Sequence, residues 1–165
     1  MSNPLVPHGG EDKVYTPDYL AKAIIQHFKP TGKILEPCRG QGAFSDLMPG
    51  CDWCEISEGR DFLSHLGSYS YIVTNPPYSQ FRAFLKHSMK LADNVIFLAP
   101  TNHFWLKARL RDIEEADFGI KEILLVDTPK KETGWPQSGF QLSVNYLQRG
   151  WRGDIKISKL PSEKA

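Results

Sequence analysis

The chain has 165 residues, of which 41% are hydrophobic and 24% are charged, and its formal net charge is +1. This length allows one domain with a proper core and is short for two, while the near-neutral charge excludes a surface built throughout to bind a polyanion. No apolar run approaches the length of a membrane span, and residues 1–13 lack the basic start and apolar core of a secretory signal. We therefore expect residues 1–13 to form a flexible arm on an intracellular, cytoplasmic protein.

Helix-like and strand-like segments alternate along the chain, which is typical of a parallel α/β sheet. The first helix is predicted to start with Thr16 as N-cap and Pro17 in the first helical position, and Pro30 ends it. Strands are predicted at residues 33–36, 52–56, 71–74, 95–99, 120–126 and 141–148, with an extra edge strand at 154–158. Further helices are predicted at about 43–47, 81–91 and 106–116.

Residues 75–78 read Asn-Pro-Pro-Tyr and directly follow the strand at 71–74. Two adjacent prolines cannot continue a strand, because both lack an N–H and both have φ fixed at about −65°. The stiff turn leaves the Asn75 amide and two carbonyls without ladder partners, beside the ring of Tyr78. Such a site can accept hydrogen bonds from an exocyclic amine and stack on a flat ring, although a proline-rich connection between strand and helix is the alternative.

A glycine-rich loop follows the first predicted strand. Gly40-Gln41-Gly42 stands between that strand and a helix, where glycines allow a sharp turn and a close approach of the backbone to a ligand. The third glycine of a dinucleotide fingerprint is absent, because residue 45 is serine. A plain loop-to-helix connection therefore remains the alternative interpretation.

Acidic residues follow the second predicted strand. Glu55 lies about 20 residues beyond Glu36, and a carboxylate at this spacing can accept both hydroxyls of a ribose. Asp61 and Phe62 come next, where a carboxylate could hold the edge of an amino-purine and an aromatic ring could cover its face. For Glu55 the alternative is a solvated acid at a strand end, and for Asp61 it is an ordinary turn.

Together these segments resemble the class I S-adenosylmethionine-dependent methyltransferases, and more narrowly the N6-adenine DNA methyltransferases with an Asn/Asp-Pro-Pro-Tyr/Phe motif. The resemblance covers roughly residues 14–148. It implies an α/β, Rossmann-like class I methyltransferase fold, with a mostly parallel central sheet and helices on both faces. It also implies S-adenosyl-L-methionine as cofactor and methyl transfer to the exocyclic N6 amine of adenine in DNA. The cofactor-binding residues that it implies are Tyr15, Thr16, Pro17, Glu36, Pro37, Gly40, Gly42, Glu55, Asp61, Phe62 and Asn75.

The resemblance further implies a role for each motif. Glu36 would lie near the amino group of the methionine part of the cofactor, Glu55 at the ribose, and Asp61 with Phe62 at the adenine. The side-chain oxygen of Asn75 and the carbonyl of Pro76 would accept the two hydrogens of the target amine, so that the nitrogen lone pair is freed for an in-line displacement. No metal is needed for this chemistry. The implied catalytic residues are Asn75, Pro76, Pro77 and Tyr78.

Substrate contacts are predicted in three loops, at residues 79–81, 101–107 and 130–140. They combine rings that could stack on bases with cations that could bind phosphate, although aromatic residues more often pack in cores. The predicted substrate-binding residues are Tyr78, Ser79, His103, Phe104, Lys130, Lys131 and Trp135.

The expected domain organisation is a catalytic domain at 14–150, followed by an edge strand and tail at 151–165, without a separate target-recognition domain. Target recognition would then come from the loops, from a second copy in a homodimer, or from a separate specificity subunit. Nucleic acid is the expected partner, DNA rather than RNA, and no membrane is involved.

Three other functions remain open at this point. The motif also occurs in enzymes that methylate RNA adenine and in enzymes that methylate protein glutamine at N5, and the fold could serve as a non-catalytic, cofactor-binding subunit of a methyltransferase complex. Cys51-x-x-Cys54 resembles half of a zinc site, but no second cysteine pair and no histidine pair stand at matching spacing. We therefore predict no metal site.

Overall fold

The computed structural model describes residues 14–162, so the predicted arm at 1–13 lies outside the described residues. Seven strands form one sheet in the order β2-β1-β3-β4-β6-β5-β7. The strands are β1 Ile34–Glu36, β2 Asp52–Trp53, β3 Tyr69–Thr74, β4 Ala92–Pro100, β5 Phe118–Val126, β6 Leu142–Arg149 and β7 Lys156–Lys159. The α-helices are α1 Asp18–Phe28, α2 Phe81–Leu91 and α3 Lys107–Glu115.

The sheet is mostly parallel, as predicted. β1 pairs in parallel with β2 and β3, β3 with β4, and β5 with β7. Only β6 is antiparallel to its neighbours β4 and β5 among the strands of the described chain. Residues 127–141 connect β5 to β6 without a crossover helix, which is the connection that adjacent antiparallel strands allow.

Helices cover both faces of the sheet, because the central strands are apolar on both sides. Along β4, Val95 and Phe97 point into the core that α2 and α3 cover. Ile96 and Leu98 point to the opposite side, where α1 contributes Ile24. The strand β4 therefore contributes side chains to two cores, one on each face of the sheet, as expected for a strand in the middle of a parallel sheet.

Several element boundaries differ from prediction. α1 begins at Asp18 with Pro17 at the N-cap and without a side-chain cap, so the prediction of Thr16 as N-cap is wrong. The Pro17 carbonyl accepts the first amides of the helix, from Leu20 and Ala21, each at 3.1 Å. The predicted helix at 43–47 is a single 3-10 turn at Ser45–Leu47.

The second strand is shorter than predicted and ends at Trp53. The reason is Glu55, whose side chain accepts from the Ser57 amide and caps a 3-10 turn at Ile56–Glu58. The extra edge strand is present as β7, two residues later at its start than predicted. Over residues 14–162, no helix combines the length and the apolar character that crossing a bilayer requires.

Candidate active site

A cavity opens where the carboxyl ends of β1 and β3 meet. The chain passes from β1 to β2 on one side and then to β3 on the other, which makes this the switch point of the sheet, where open α/β folds bind ligands. The cavity has a volume of about 340 Å³, within the usual range for small-molecule sites. Its lining includes the predicted residues Tyr15, Thr16, Glu36, Pro37, Gly40, Glu55, Asp61, Phe62, Asn75 and Pro77.

The glycine loop passes under one side of this cavity. Gly40 has φ +57°, and a Cβ there would lie 3.0 Å from the ring of Tyr15, so only glycine lets the two segments touch. Gly42 has φ +90°, and its Cβ would lie 2.9 Å from the carboxylate of Asp46. Gly42 is not among the lining residues, and neither is Pro17. These two predicted residues shape the loop and the helix start rather than the cavity wall.

Glu36 ends β1 at the cavity and is 1% exposed. Burial raises the pKa of its carboxyl to about 8, against the opposing effect of hydrogen bonds from Thr74 and from the backbone of Cys38. The Cys38 amide donates to Oε1 at 2.9 Å. A buried carboxyl in a cavity wall is a site for a cationic group, because ionisation becomes favourable only when a positive charge arrives.

Glu55 lies across the glycine loop and is held as an acceptor. Its Oε1 accepts from the Gly40 amide at 2.9 Å, and its Oε2 accepts from the amide and the hydroxyl of Ser57 at 3.1 and 2.9 Å. Partial burial acts to raise the pKa of Glu55, but the hydrogen bonds from Ser57 and Gly40 lower it below its ordinary value. Glu55 is therefore an ionised carboxylate among the residues that line the cavity.

Asp61 and Phe62 close the far end of the cavity. Asp61 caps the 3-10 turn at Phe62–Ser64 by accepting from the Leu63 amide at 3.0 Å. Phe62 is 2% exposed and packs against Phe84, with ring centroids 4.9 Å apart. The ring is therefore part of the cavity wall and is fixed by the core.

Asn75, the first residue of the turn, is held through both its side chain and its main chain. The Asn75 side chain donates from Nδ2 to the Val14 carbonyl at 3.1 Å, across 61 residues of sequence. The Cys38 thiol donates to the main-chain oxygen of Asn75 at 3.0 Å. With Nδ2 occupied, the amide oxygen of Asn75 is the group that this side chain can offer to an incoming donor.

Tyr78 packs behind the turn and does not line the cavity. Its ring lies 5.5 Å from the His103 ring between centroids, and its buried hydroxyl has no hydrogen-bond partner among the described residues. Burial raises the pKa of this hydroxyl well above its ordinary value. His103 in turn contacts Phe81, and burial, with the charge of Arg109, lowers the pKa of its imidazole. His103 thus lies next to Tyr78, at the end of the Asn-Pro-Pro-Tyr segment.

Two of the predicted substrate residues are core residues instead. Phe104 is 0% exposed and packs edge-on against Phe81, and Trp135 is 6% exposed within the core on the α1 side of the sheet. Neither ring can stack on a substrate from these positions, so both assignments are corrected. Ser79, Lys130 and Lys131 are exposed.

The cavity also contains residues that sequence reasoning missed. Cys38 and Ser57 line it, and both hold other site residues in place through hydrogen bonds. A thiol between Pro37 and Gly40 has no signature of its own, since its contacts lie on a different strand. Cys38, Cys51 and Cys54 are free thiols, and the described part of the chain contains no cluster of three or more His, Cys, Asp or Glu side chains suited to a metal.

No protein-family model and no curated protein matches the sequence. Solved structures do match: a candidate RNA methyltransferase from Pyrococcus horikoshii has a TM-score of 0.63 at 13% identity, over 87% of this chain and 89% of that one. A magnesium protoporphyrin IX methyltransferase from Synechocystis PCC 6803 with bound S-adenosylmethionine is also similar, with a TM-score of 0.54 at 14% identity. The match covers 86% of this chain and 80% of that one.

A third similar structure is the modification subunit of a candidate type I restriction enzyme from Vibrio vulnificus YJ016. Its TM-score is 0.61 at 14% identity, over 92% of this chain, which spans only 48% of that subunit. At these identities the likeness concerns the fold. The predicted Rossmann-like class I methyltransferase fold is thereby confirmed.

Proposed function

We propose that this chain is an S-adenosylmethionine-dependent methyltransferase that transfers a methyl group to the N6 amine of adenine in DNA. The observation that carries the proposal is the state of Asn75, whose Nδ2 is held by the Val14 carbonyl. Its amide oxygen is thereby left as an acceptor at the wall of a cavity suited to a small ligand. An enzyme that acts on an amine needs such a fixed acceptor.

The cavity fits the proposed cofactor on its own chemistry. Glu36, buried and prone to protonation, suits the ammonium group, and Glu55, ionised and oriented, suits two ribose hydroxyls. Asp61 would meet the amino edge of the adenine. When bound, the cofactor supplies an electrophilic methyl group. The bound cofactor in the Synechocystis neighbour supports this assignment.

The chain's own part in catalysis is to hold the target amine. The Asn75 side-chain oxygen and the Pro76 carbonyl accept its two hydrogens, which turns the nitrogen lone pair out of conjugation with the ring and toward the cavity. Bond formation between this nitrogen and the methyl carbon would be matched by loss of the bond between that carbon and sulfur, and the nitrogen would then release one of these hydrogens as a proton to solvent. Because this proton leaves easily, no general base is required, and Asn75 stays neutral throughout.

DNA is the proposed substrate polymer. The likeness to the modification subunit of a restriction enzyme supports it, and exposed Lys130 and Lys131 could meet phosphates. RNA is the second candidate, because the neighbour from Pyrococcus horikoshii is described as an RNA methyltransferase. Target recognition would come from the loops, from a second copy in a homodimer, or from a separate specificity subunit.

The test is methyl transfer from labelled S-adenosylmethionine to unmethylated DNA, total RNA and a protein extract in parallel, with products identified by mass spectrometry. N6-methyladenine in DNA alone is the expected result. Label in RNA or on protein glutamine would keep the chemistry and replace the substrate. Cofactor binding without label in any polymer would contradict the catalytic assignment and favour a cofactor-binding subunit.

A further inference from the structure

A chain of buried polar groups connects the cavity floor with the Asn75-Pro76 turn. Glu36 and Thr74 are each 1% exposed, and the Thr74 hydroxyl hydrogen-bonds with the Glu36 carboxyl. The Cys38 sulfur lies 2.9 Å from Thr74 Oγ1 and 3.0 Å from the main-chain oxygen of Asn75. Groups in such a network depend on one another for partners, so a change at one end is felt at the other.

The donors in this chain can be assigned, because the Asn75 carbonyl can only accept. The Cys38 thiol donates to it, so Sγ accepts from the Thr74 hydroxyl. While Glu36 is protonated, Thr74 Oγ1 is then free to accept from its carboxyl proton. Every group then has a partner. Burial, followed by the nearby carboxyl of Glu36, raises the pKa of the Cys38 thiol, so that it keeps its proton.

Ionisation of Glu36 reverses this order. A carboxylate can only accept, so the Thr74 hydroxyl turns to donate to it and no longer donates to sulfur. The single thiol proton then has two acceptors to serve, Thr74 Oγ1 and the Asn75 carbonyl. The grip on the main chain of Asn75 therefore differs between the two charge states of Glu36.

We propose that Cys38 is a positioning residue that transmits the charge state of Glu36 to the catalytic turn, so that the arrival of the cationic end of the cofactor resets the main chain of Asn75. The inference rests on the proposed function, because it assigns that cation to the cofactor. Cys38 acts through the backbone of Asn75, whose side chain is anchored separately on Val14. In this way the enzyme readies its amine acceptors only when the methyl donor is present.

The first test compares Cys38→Ala, Cys38→Ser and the control Cys51→Ala at saturating cofactor and DNA. Cys51 is also a free thiol, outside the cavity lining. We expect Cys38→Ala to lower kcat about 10-fold through a misplaced acceptor, with the cofactor Kd changed less than about 2-fold. Cys38→Ser, which keeps a donor, should recover most of the rate. An unchanged kcat in Cys38→Ala, or no recovery in Cys38→Ser, would overturn the proposal.

A double-mutant cycle tests whether the groups act as one chain. Thr74→Val keeps the shape of the side chain and removes the hydroxyl that joins Glu36 to Cys38. If the effect travels along this chain, the double variant Cys38→Ala/Thr74→Val should have the same kcat as the slower single variant. If the losses in kcat of the two single variants multiply in the double variant, the two effects are independent and the proposal is wrong.

A readout without turnover separates this inference from the proposed function. The main-chain carbonyl carbon of Asn75, whose oxygen accepts from Cys38, can be followed by nuclear magnetic resonance during cofactor titration. Its signal should shift in the wild-type protein and in Cys38→Ser, and much less in Cys38→Ala. Equal shifts in all three would refute the role of Cys38 alone, whereas a wild-type protein that binds no cofactor would refute the proposed function.

Discussion

At the scale of single residues, Glu36 shows how burial changes the ionisation of a carboxyl. The carboxyl is buried at the end of β1, and none of the ion pairs among residues 14–162 includes it. Its position behind a short strand was predicted from the motif. Its raised pKa was not predictable, because it comes from burial by side chains of several elements that the sequence does not place around it.

Glu36 should make cofactor binding release protons at pH 7. The carboxyl has a pKa of about 8 and is mostly protonated at that pH, and an ammonium group beside it favours the ionised form. Calorimetry in two buffers of different ionisation enthalpy measures the release. Glu36→Gln should abolish the release and weaken binding about 10- to 100-fold. Proton release that persists in Glu36→Gln would exclude this carboxyl as its source.

The buried Glu36 carboxyl should also make the stability of the protein fall as the pH rises. Its folded pKa of about 8 lies above the ordinary value of 4.5, so the stability that its proton confers is complete below about 4.5 and is lost as pH rises through 8. Glu36→Gln should therefore be more stable than the wild type at pH 9, by at least about 1 kcal/mol, and similar to it at pH 4. Denaturant unfolding at both pH values checks this, and a variant less stable at pH 9 would contradict it.

At the scale of elements, the glycine loop should be needed for its contact with Tyr15 as well as for its turn. Gly40→Ala adds a Cβ 3.0 Å from that ring and places alanine at φ +57°. We expect a loss of about 1 kcal/mol in unfolding free energy and weaker cofactor binding. Gly50→Ala is the matched control, with φ +80° and no atom within 4 Å of its Cβ.

The two variants should lose similar stability, while only Gly40→Ala should lose cofactor affinity. Unfolding curves and cofactor titrations of both proteins measure this. Equal affinity in the two variants would mean that Tyr15 does not shape the cofactor site.

The loops after β4 and between β5 and β6 divide into core and surface residues. Burial of Trp135 predicts that Trp135→Ala costs about 3–5 kcal/mol of stability, and Phe104→Ala a similar amount. The sequence placed both rings in substrate loops, because residue type alone cannot tell an aromatic that packs inward from one that stacks on a base. Thermal unfolding decides the point, and a loss of DNA binding at unchanged stability would restore the original assignment.

Lys130 and Lys131 are exposed in the loop between β5 and β6, and they should affect DNA binding rather than stability. The double change to alanine should leave stability unchanged and weaken binding to DNA of any sequence, with a smaller salt dependence of the binding constant. Binding curves at several salt concentrations measure this. An unchanged salt slope would remove these lysines from the proposed DNA surface.

At the scale of the whole molecule, the alternation of helix-like and strand-like segments was enough to predict a parallel α/β sheet, and the resemblance of the motifs implied the class I methyltransferase fold. The Asn75-Pro76 turn was also predictable, because two adjacent prolines end a strand whatever surrounds them. Contacts that assemble the site across the sequence were not predictable, as with Val14 on Asn75. The early end of β2 was also not predicted, because the side chain of Glu55 caps the following turn and competes with strand pairing.

The central claim is that one cavity binds the cofactor while Asn75 holds the amine, and Asn75→Ala tests it most directly. Cofactor Kd and methyl transfer to DNA should be measured on the same preparation, with Asn75→Asp as a variant that keeps an acceptor. Our account predicts that Asn75→Ala binds cofactor within a few-fold of wild type and loses transfer by at least about 100-fold. Loss of cofactor binding together with transfer, or transfer that survives, would contradict it.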